Sequence, residues 1–256
     1  MATGRLRAPD TDYGIDAPNV LRTLFLIGLL CLLLGVFLPR HIHIGQLDWM
    51  PRPMFLTTGI FLVVEGGLFL LYVKLGKFHH RDKMLSLHAW RGDERVLDVG
   101  CGRGLLLAGA ARRLAEINGS GDATGIDIWS NVDMGGNSEA ETRRNLELEG
   151  VSGRCTLVSA PAQEMPFPDG SFDVIVSNLC LHNIYDGPTR RQAVQQVARV
   201  LKPGGIAILS DYKKTGEYAE QLRLAGLSVG RQWGNPLYTF PPLRIVIARK
   251  ALSGAQ

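Results

Sequence analysis

The sequence predicts an α/β domain built on a parallel sheet, preceded by a hairpin of two membrane-spanning helices. Three observations carry that prediction. The extreme hydrophobicity lies almost wholly before Lys74, whereas the remainder of the 256 residues mixes charged and apolar residues as a soluble domain does. From Asp93 onward, short β-branched runs alternate with amphipathic stretches, the pattern of strands joined through helices. The first such run ends in Gly100-Cys101-Gly102-Arg103-Gly104, a glycine-rich turn leading into a helical stretch.

Thr23 to Leu38 is an uncharged run of 16 residues, roughly 24 Å of helix against a bilayer core of about 30 Å. Arg22 and Arg40 extend it by snorkelling. Met54 to Val73 is a second run, of 20 residues, with Glu65 as its only charge. Pro39, Gly45, Pro51 and Pro53 break the stretch between them, so the runs are separate helices joined by a turn. A cleaved signal peptide is the competing explanation. No small-x-small site follows Leu38, and a second apolar run would remain after cleavage.

Arg5, Arg7 and Arg22 precede the first run, Arg40 and Arg52 lie in the connection, and Lys74, Lys77, Arg81, Lys83 and Arg91 follow the second. That bias places both ends of the hairpin, and the domain after it, in the cytoplasm. The division expected is a cytoplasmic tail over 1–20, the hairpin over 21–75, a basic juxtamembrane linker over 76–92 and the α/β domain over 93–256. A carboxylate at the depth of Glu65 is costly, and it is protonated in the hairpin, bonded to a neighbouring helix, or beside an acceptor channel. Gly28 and Gly35, like Gly59 and Gly66, are seven apart, which puts each pair on one helix face where two helices can approach closely.

The net charge of +4 is modest, and the basic residues gather beside the apolar runs rather than in aromatic-interleaved stripes. That favours contact with anionic lipid and leaves no nucleic acid expected as partner. Cys31, Cys101, Cys155 and Cys180 form no C-x-x-C pair and read as reduced structural thiols. His41 and His43, like His79 and His80, are close pairs without a second cluster of ligands, so no metal site is expected.

Along the domain, Arg95 to Val99 is the first strand and Leu105 to Ile117 its helix. Ala123 to Ile128 is the second strand; Ser138 to Glu149, capped by Asn137 or Ser138, is a helix; and Arg154 to Val158 is the third strand. The turn Pro168-Asp169-Gly170 precedes the most apolar strand, Phe172 to Ser177. Thr189 to Leu201 is a helix stopped by Pro203 and Gly204, Ile206 to Ser210 the fifth strand, Glu217 to Ala225 a helix ending at Gly226, and Leu243 to Ala248 a final strand. Leu227 to Gly230 is a candidate for one more.

A glycine turn after a buried strand lets a ligand approach the backbone where a Cβ would obstruct it. The spacing is G-x-G-x-G, and Leu105 stands where a dinucleotide fold needs its third glycine. No G-K-[ST] follows, which excludes a phosphate loop. Asp127 ends the second strand, where a carboxylate accepts both hydroxyls of a ribose. Asp98, opening the loop, would oppose a pyrophosphate but suits a cationic ligand.

These residues resemble the class I S-adenosylmethionine-dependent methyltransferases, in particular their small-molecule branch, over roughly Val96 to Lys250. Val96 to Gly104 looks like the family's first motif, Asp127 like its ribose-binding acid, Met165 to Asp173 like the segment into its fourth strand, and Leu201-Lys202-Pro203-Gly204-Gly205 like the turn before strand five. The resemblance implies a Rossmann-like sheet with helices on both faces and S-adenosyl-L-methionine as cofactor. It implies that Asp98, Gly100, Cys101, Gly102 and Gly104 approach the methionine and ribose portions, Asp127 the ribose hydroxyls, Ile128 or Trp129 the adenine face, and Asn178 the methionine moiety. Where the family often has Gly-Asp-Ala, this chain has Ala160-Pro161-Ala162, so adenine recognition falls to the backbone of Ala162 or the side chain of Gln163. The insertion Trp129 to Asn137, with Asn131 and Asp133, is a surface loop, a cover for the donor or a wall of an acceptor pocket.

Methyl transfer from a sulfonium needs a base only if the acceptor must lose a proton. His182 lies just past the fourth strand, at the edge where such sheets bind ligands, and Tyr185, Asp211 and Tyr212 stand at comparable strand ends. The catalytic candidates are therefore His182, Tyr185 and Asp211. The expected activity is methylation of an apolar or membrane-delivered small molecule or lipid; the alternative is a tethered donor-binding scaffold without turnover, motivated by Pro161.

Overall fold

The computed structural model describes residues 7–130 and 135–252; Arg5, Asn131 and Asp133 lie outside the described residues. Helices α1 (Pro18–Phe37) and α2 (Pro51–Leu71) have 20 and 21 residues, about 30 Å each. Both are long and apolar enough to cross a membrane. Each opens with proline in its first turn, where a missing amide leaves no bond unmade. Strands β1 (Ile42–Ile44) and β2 (Leu47–Trp49) pair antiparallel between them, so the connection is a small β-hairpin, closed around Gly45.

Gly28, Gly35, Gly59 and Gly66 all face the opposite helix. A Cβ on Gly59 would lie 2.8 Å from the Leu32 amide nitrogen and 2.9 Å from the Gly28 carbonyl oxygen, and one on Gly35 would meet the Leu56 side chain at 2.7 Å. Outward, Leu26, Leu29, Leu33, Phe61 and Val64 are exposed.

Helix α2 passes through a π-turn (Tyr72–Gly76) directly into α3 (Lys77–Leu85). This corrects the expected basic linker over 76–92. The charged side chains of this stretch disguise an amphipathic helix whose Phe78, Met84 and Leu85 are buried together with Arg81. Helix α3 lies so close to α4 (Leu105–Glu116) that a Cβ on Gly109 would meet the stem of Arg81 and Leu85 at 2.8 Å.

The remaining strands are β3 (Arg95–Val99), β4 (Asp122–Asp127), β5 (Cys155–Ser159), β6 (Phe172–Asn178), β7 (Leu201–Asp211), β8 (Ser228–Trp233) and β9 (Arg244–Arg249). They form one sheet in the order β5-β4-β3-β6-β7-β9-β8. It is parallel except for β9, which runs antiparallel to both neighbours, and it is the Rossmann-like sheet expected from the sequence. Helices α5 (Glu139–Leu148), α6 (Gly187–Val200) and α7 (Thr215–Leu224) complete the layers. Ser138 caps α5 through the Glu141 amide, and Asp186 caps α6 through that of Thr189. Strand β7 already begins at Leu201, so Pro203 and Gly204 lie within an irregular strand start rather than in a turn before it.

Alternation along β3 divides the core. Leu97 and Val99 pack with Ile175, Val194, Val197 and Tyr218, while Val96 packs on the other face with Met84, Leu107, Val174 and Ile208. Each such side chain contributes about 1.5–3 kcal/mol by leaving water. A third cluster joins Leu21, Phe69, Tyr72 and Val73 of the hairpin to Leu243, with Leu179 and Phe240 packed against it. Leu179 follows β6 and Leu243 precedes β9, so the hairpin's domain-proximal end sits on the edge where the parallel strands finish.

Candidate active site

Strand β3 delivers the chain to Gly100, whose φ of +70° only glycine adopts without strain. A Cβ there would lie 2.0 Å from the Cys180 sulfur. The Gly100 amide donates to the Ile126 carbonyl at 2.8 Å, tying the loop to β4. Gly102 and Gly104 also have positive φ, and Gly104 caps α4, whose N-terminal amides face the loop.

Asp127, at the end of β4, holds this loop. It accepts the Gly102 amide at 2.8 Å on one oxygen and the Trp129 amide at 2.6 Å on the other, which also meets the Asn137 amide at 3.3 Å. A carboxylate has about four lone-pair positions, so capacity remains for ribose hydroxyls. Ile128 is 65% exposed, and Trp129 reaches over β5 with its ring nitrogen donating to Ser159 Oγ at 2.6 Å. Both border the space beyond β4 and β5. Ala160-Pro161-Ala162 leaves β5 alongside, with Ala162 packed on the core and Gln163 part-exposed at the turn.

Cys101, also expected to approach the donor, is buried within the loop. Its thiol points inward beneath Gly125, where a Cβ would come within 2.7 Å of the sulfur, so only its backbone is available to a ligand. Burial, and then the Asp98 and Asp127 carboxylates, push that thiol's pKa well up.

Asp98 is buried, and burial raises its pKa to about 8, with the Asp127 charge adding to the effect. Its Oδ2, like Oδ1 of Asn178 at the end of β6, is buried without a hydrogen-bond partner among the described residues. Two unmet acceptors, one of them a carboxylate, suit a ligand bearing cationic N–H groups. A methyl donor with an α-amino-acid head fits that demand.

On the far side of β6, Leu179 takes a left-handed φ of +53° and its amide donates to the Ser210 carbonyl, turning the chain towards β7. This brings His182 Nδ1 to 2.9 Å from Asp211. Asp211 is 1% exposed and also accepts from its neighbour's amide, Tyr212 N, and from the Tyr218 hydroxyl. A carboxylate accepts, so Nδ1 is the donor towards Asp211 and Nε2 is the ring nitrogen outside the pair. Tyr212 stands edge-on to the imidazole, 4.8 Å between centroids. Of the three catalytic candidates the fold unites His182 and Asp211, whereas Tyr185 is 81% exposed and outside the pair.

Sequence reasoning missed two contributors. The stretch before α1, within the expected N-terminal tail, straps the glycine loop: Asp12 pairs with Arg103, and the Asp12 carbonyl accepts from Asn145 at 2.8 Å. Tyr13 donates to Glu149 at 2.7 Å. Tyr72, from the hairpin, reaches the end of β6. Neither has a local signal, because the partners lie tens of residues apart.

A glycine loop, a ribose-type acid and a polar strand end on a sheet with one reversed strand are the features of the class I S-adenosylmethionine-dependent methyltransferase fold. The family described as "Methyltransferase domain" matches residues 97–209. The chain is 36% identical over 124 residues to the ubiquinone/menaquinone biosynthesis C-methyltransferase UbiE of Vibrio vulnificus, covering 48% of this chain and 43% of the relative. It is 34% identical over 134 residues to the 27-O-demethylrifamycin SV methyltransferase of Amycolatopsis mediterranei, covering 51% and 43%. The chain thus spans less than half the length of these relatives. The crystal structure of Burkholderia thailandensis 1,6-didemethyltoxoflavin-N1-methyltransferase, with 1,6-didemethyltoxoflavin and S-adenosylhomocysteine bound, superposes with a TM-score of 0.52 at 21% identity, covering 67% of this chain and 78% of that one.

Proposed function

We propose that this chain transfers the methyl group of S-adenosylmethionine to an apolar small molecule or lipid that reaches the site from a bilayer crossed by α1 and α2, with the domain on the cytoplasmic side. The observation that carries this reading is the position of the His182–Asp211 pair, on the strand edge that also carries the glycine loop and the packed end of the hairpin. The named relatives are a C-methyltransferase of ubiquinone/menaquinone biosynthesis and a 27-O-demethylrifamycin SV methyltransferase, which agrees with an apolar acceptor.

When bound, the donor supplies an electrophilic methyl on a good leaving group. The chain does the rest. The backbone of Gly100 to Gly104 and Asp127 hold the nucleoside; Ile128, Trp129 and Ala162, with Gln163, border the adenine; Asp98 and Asn178 meet the amino-acid head. Asp211 fixes the tautomer and orientation of His182, whose Nε2 accepts the proton from an acceptor hydroxyl or activated carbon as methyl transfer proceeds. Phe69, Leu179 and Leu243 exclude water.

The test is transfer of labelled methyl groups to a native membrane extract by the full chain. His182→Ala is expected to lower turnover by about 10²–10³-fold while leaving donor affinity unchanged. Equal turnover by wild type and variant would remove the base from the account. Pro161, which offers no carboxylate to adenine, motivates the second reading, a donor-binding scaffold; donor affinity indifferent to every acceptor, without turnover, would favour it.

A further inference from the structure

Tyr72 begins the π-turn at the end of α2, a form of local unwinding found mostly at functional sites. Its side chain is 2% exposed, and its hydroxyl has no hydrogen-bond partner among the described residues. Two other buried oxygens share that condition nearby. Asn178 Oδ1 belongs to the end of β6, and Asp16 Oδ2, just before α1, makes a 3.7 Å ion contact with Lys77 and no hydrogen bond among the described residues. The Asn178 side chain stands beside the Tyr72 oxygen at near hydrogen-bonding range, leaving its own Oδ1 unmet, and the Asp16 charge acts on the same oxygen.

Three separate segments therefore bring unmet polar atoms to one buried place. Folding alone gives no reason for such a gathering, since an unpartnered buried polar group is costly. An α-amino-acid head would answer all three. Its ammonium offers three N–H donors, for Asn178 Oδ1 and the Asp16 carboxylate, and its carboxylate accepts from the Tyr72 hydroxyl. Charge agrees, because Asp16 supplies the negative partner to the ammonium.

We propose that the end of the hairpin is part of the donor site, with Tyr72 and Asp16 holding the amino-acid head of the methyl donor beside Asn178. The proposal rests on the methyl-donor reading and extends it: the apolar helices are a structural wall of the cofactor site, and not only a tether. Tyr72 is then a positioning residue carried by the segment that enters the bilayer. Donor binding and the seating of the hairpin on the domain are one event.

The experiment uses the full chain in lipid nanodiscs and two probes, S-adenosylhomocysteine and 5′-methylthioadenosine, which keeps the nucleoside and thioether but lacks the amino-acid head. Calorimetry is expected to show Tyr72→Phe weakening S-adenosylhomocysteine about tenfold, the worth of one hydrogen bond to a charged group. Methylthioadenosine affinity should stay within about twofold of wild type. Asp16→Asn, on a different segment, should give the same selective loss, so the outcome does not hang on one variant folding. Variants that weaken both probes alike, or neither, would overturn the proposal. Wild type that binds neither probe would overturn the methyl-donor reading and this proposal with it.

Discussion

The glycine loop and the helical hairpin both depend on glycine, for opposite physical reasons. In the loop, Gly100 has a left-handed backbone and also lacks room for a Cβ, with the Cys180 sulfur 2.0 Å from where one would stand. In the hairpin, Gly59 has ordinary helical backbone and lacks only room, because the Leu32 amide and the Gly28 carbonyl of the facing helix lie within 3 Å of an added Cβ. Gly67, one residue past Gly66 in the same helix, has nothing within 4 Å. Conformation and space are separate demands. A ligand loop makes both, and a helix pair makes one.

Replacing each glycine with alanine separates them. Gly100→Ala should cost most, about 2–4 kcal/mol from backbone strain and overpacking together, with donor binding lost. Gly59→Ala should cost about 1–3 kcal/mol from overpacking alone and leave the loop intact. Gly67→Ala should be neutral or stabilise by up to about 1 kcal/mol through helix propensity. Thermal unfolding in one detergent reads all three, and equal losses across the series would break the comparison.

The loop also carries a pH signature, through Asp98. With its pKa raised to about 8, Asp98 is neutral in the donor-free protein below that pH. The sign follows from burial: the raised value means that Asp98 favours folding most below about pH 4, and that this advantage is lost as pH rises through about 8. A cationic head beside Asp98 favours its charged form, so donor binding releases a proton and weakens as pH falls from 8 to 6, by up to about tenfold per unit. Asp98→Asn should flatten that dependence in calorimetry of S-adenosylhomocysteine binding, and should raise donor-free stability at pH 9. A slope unchanged by the substitution would place the titrating group elsewhere.

How far the sequence could be read follows from how local each feature is. Val96 to Gly104 is contiguous, and Asp127 ends the next strand, so spacing alone points to the loop and its acid. His182 and Asp211 were visible only as residues at strand ends, on the same ground as Tyr185, and no sequence signal separates the paired residues from the exposed one. Arg103 looked like a loop residue, yet its partner is Asp12, 91 positions away. Helix α3 was obscured because Lys77 and Arg81 lie buried, Lys77 donating to the Tyr13 and Gly14 carbonyls. Burial of such stems is invisible to a hydropathy pattern. The reversal of β9 depends on its pairing with β7 and β8 rather than on its own residues.

The central claim is that methyl groups leave this site on an apolar acceptor. Its most direct test is mass comparison of lipid-phase and aqueous-phase metabolites from cells carrying wild type or Asp127→Ala. The account predicts a lipid-phase species heavier by one methylene that is present with wild type and lost with the variant. A wild-type-dependent methylene confined to the aqueous phase, or none in either phase, would contradict it.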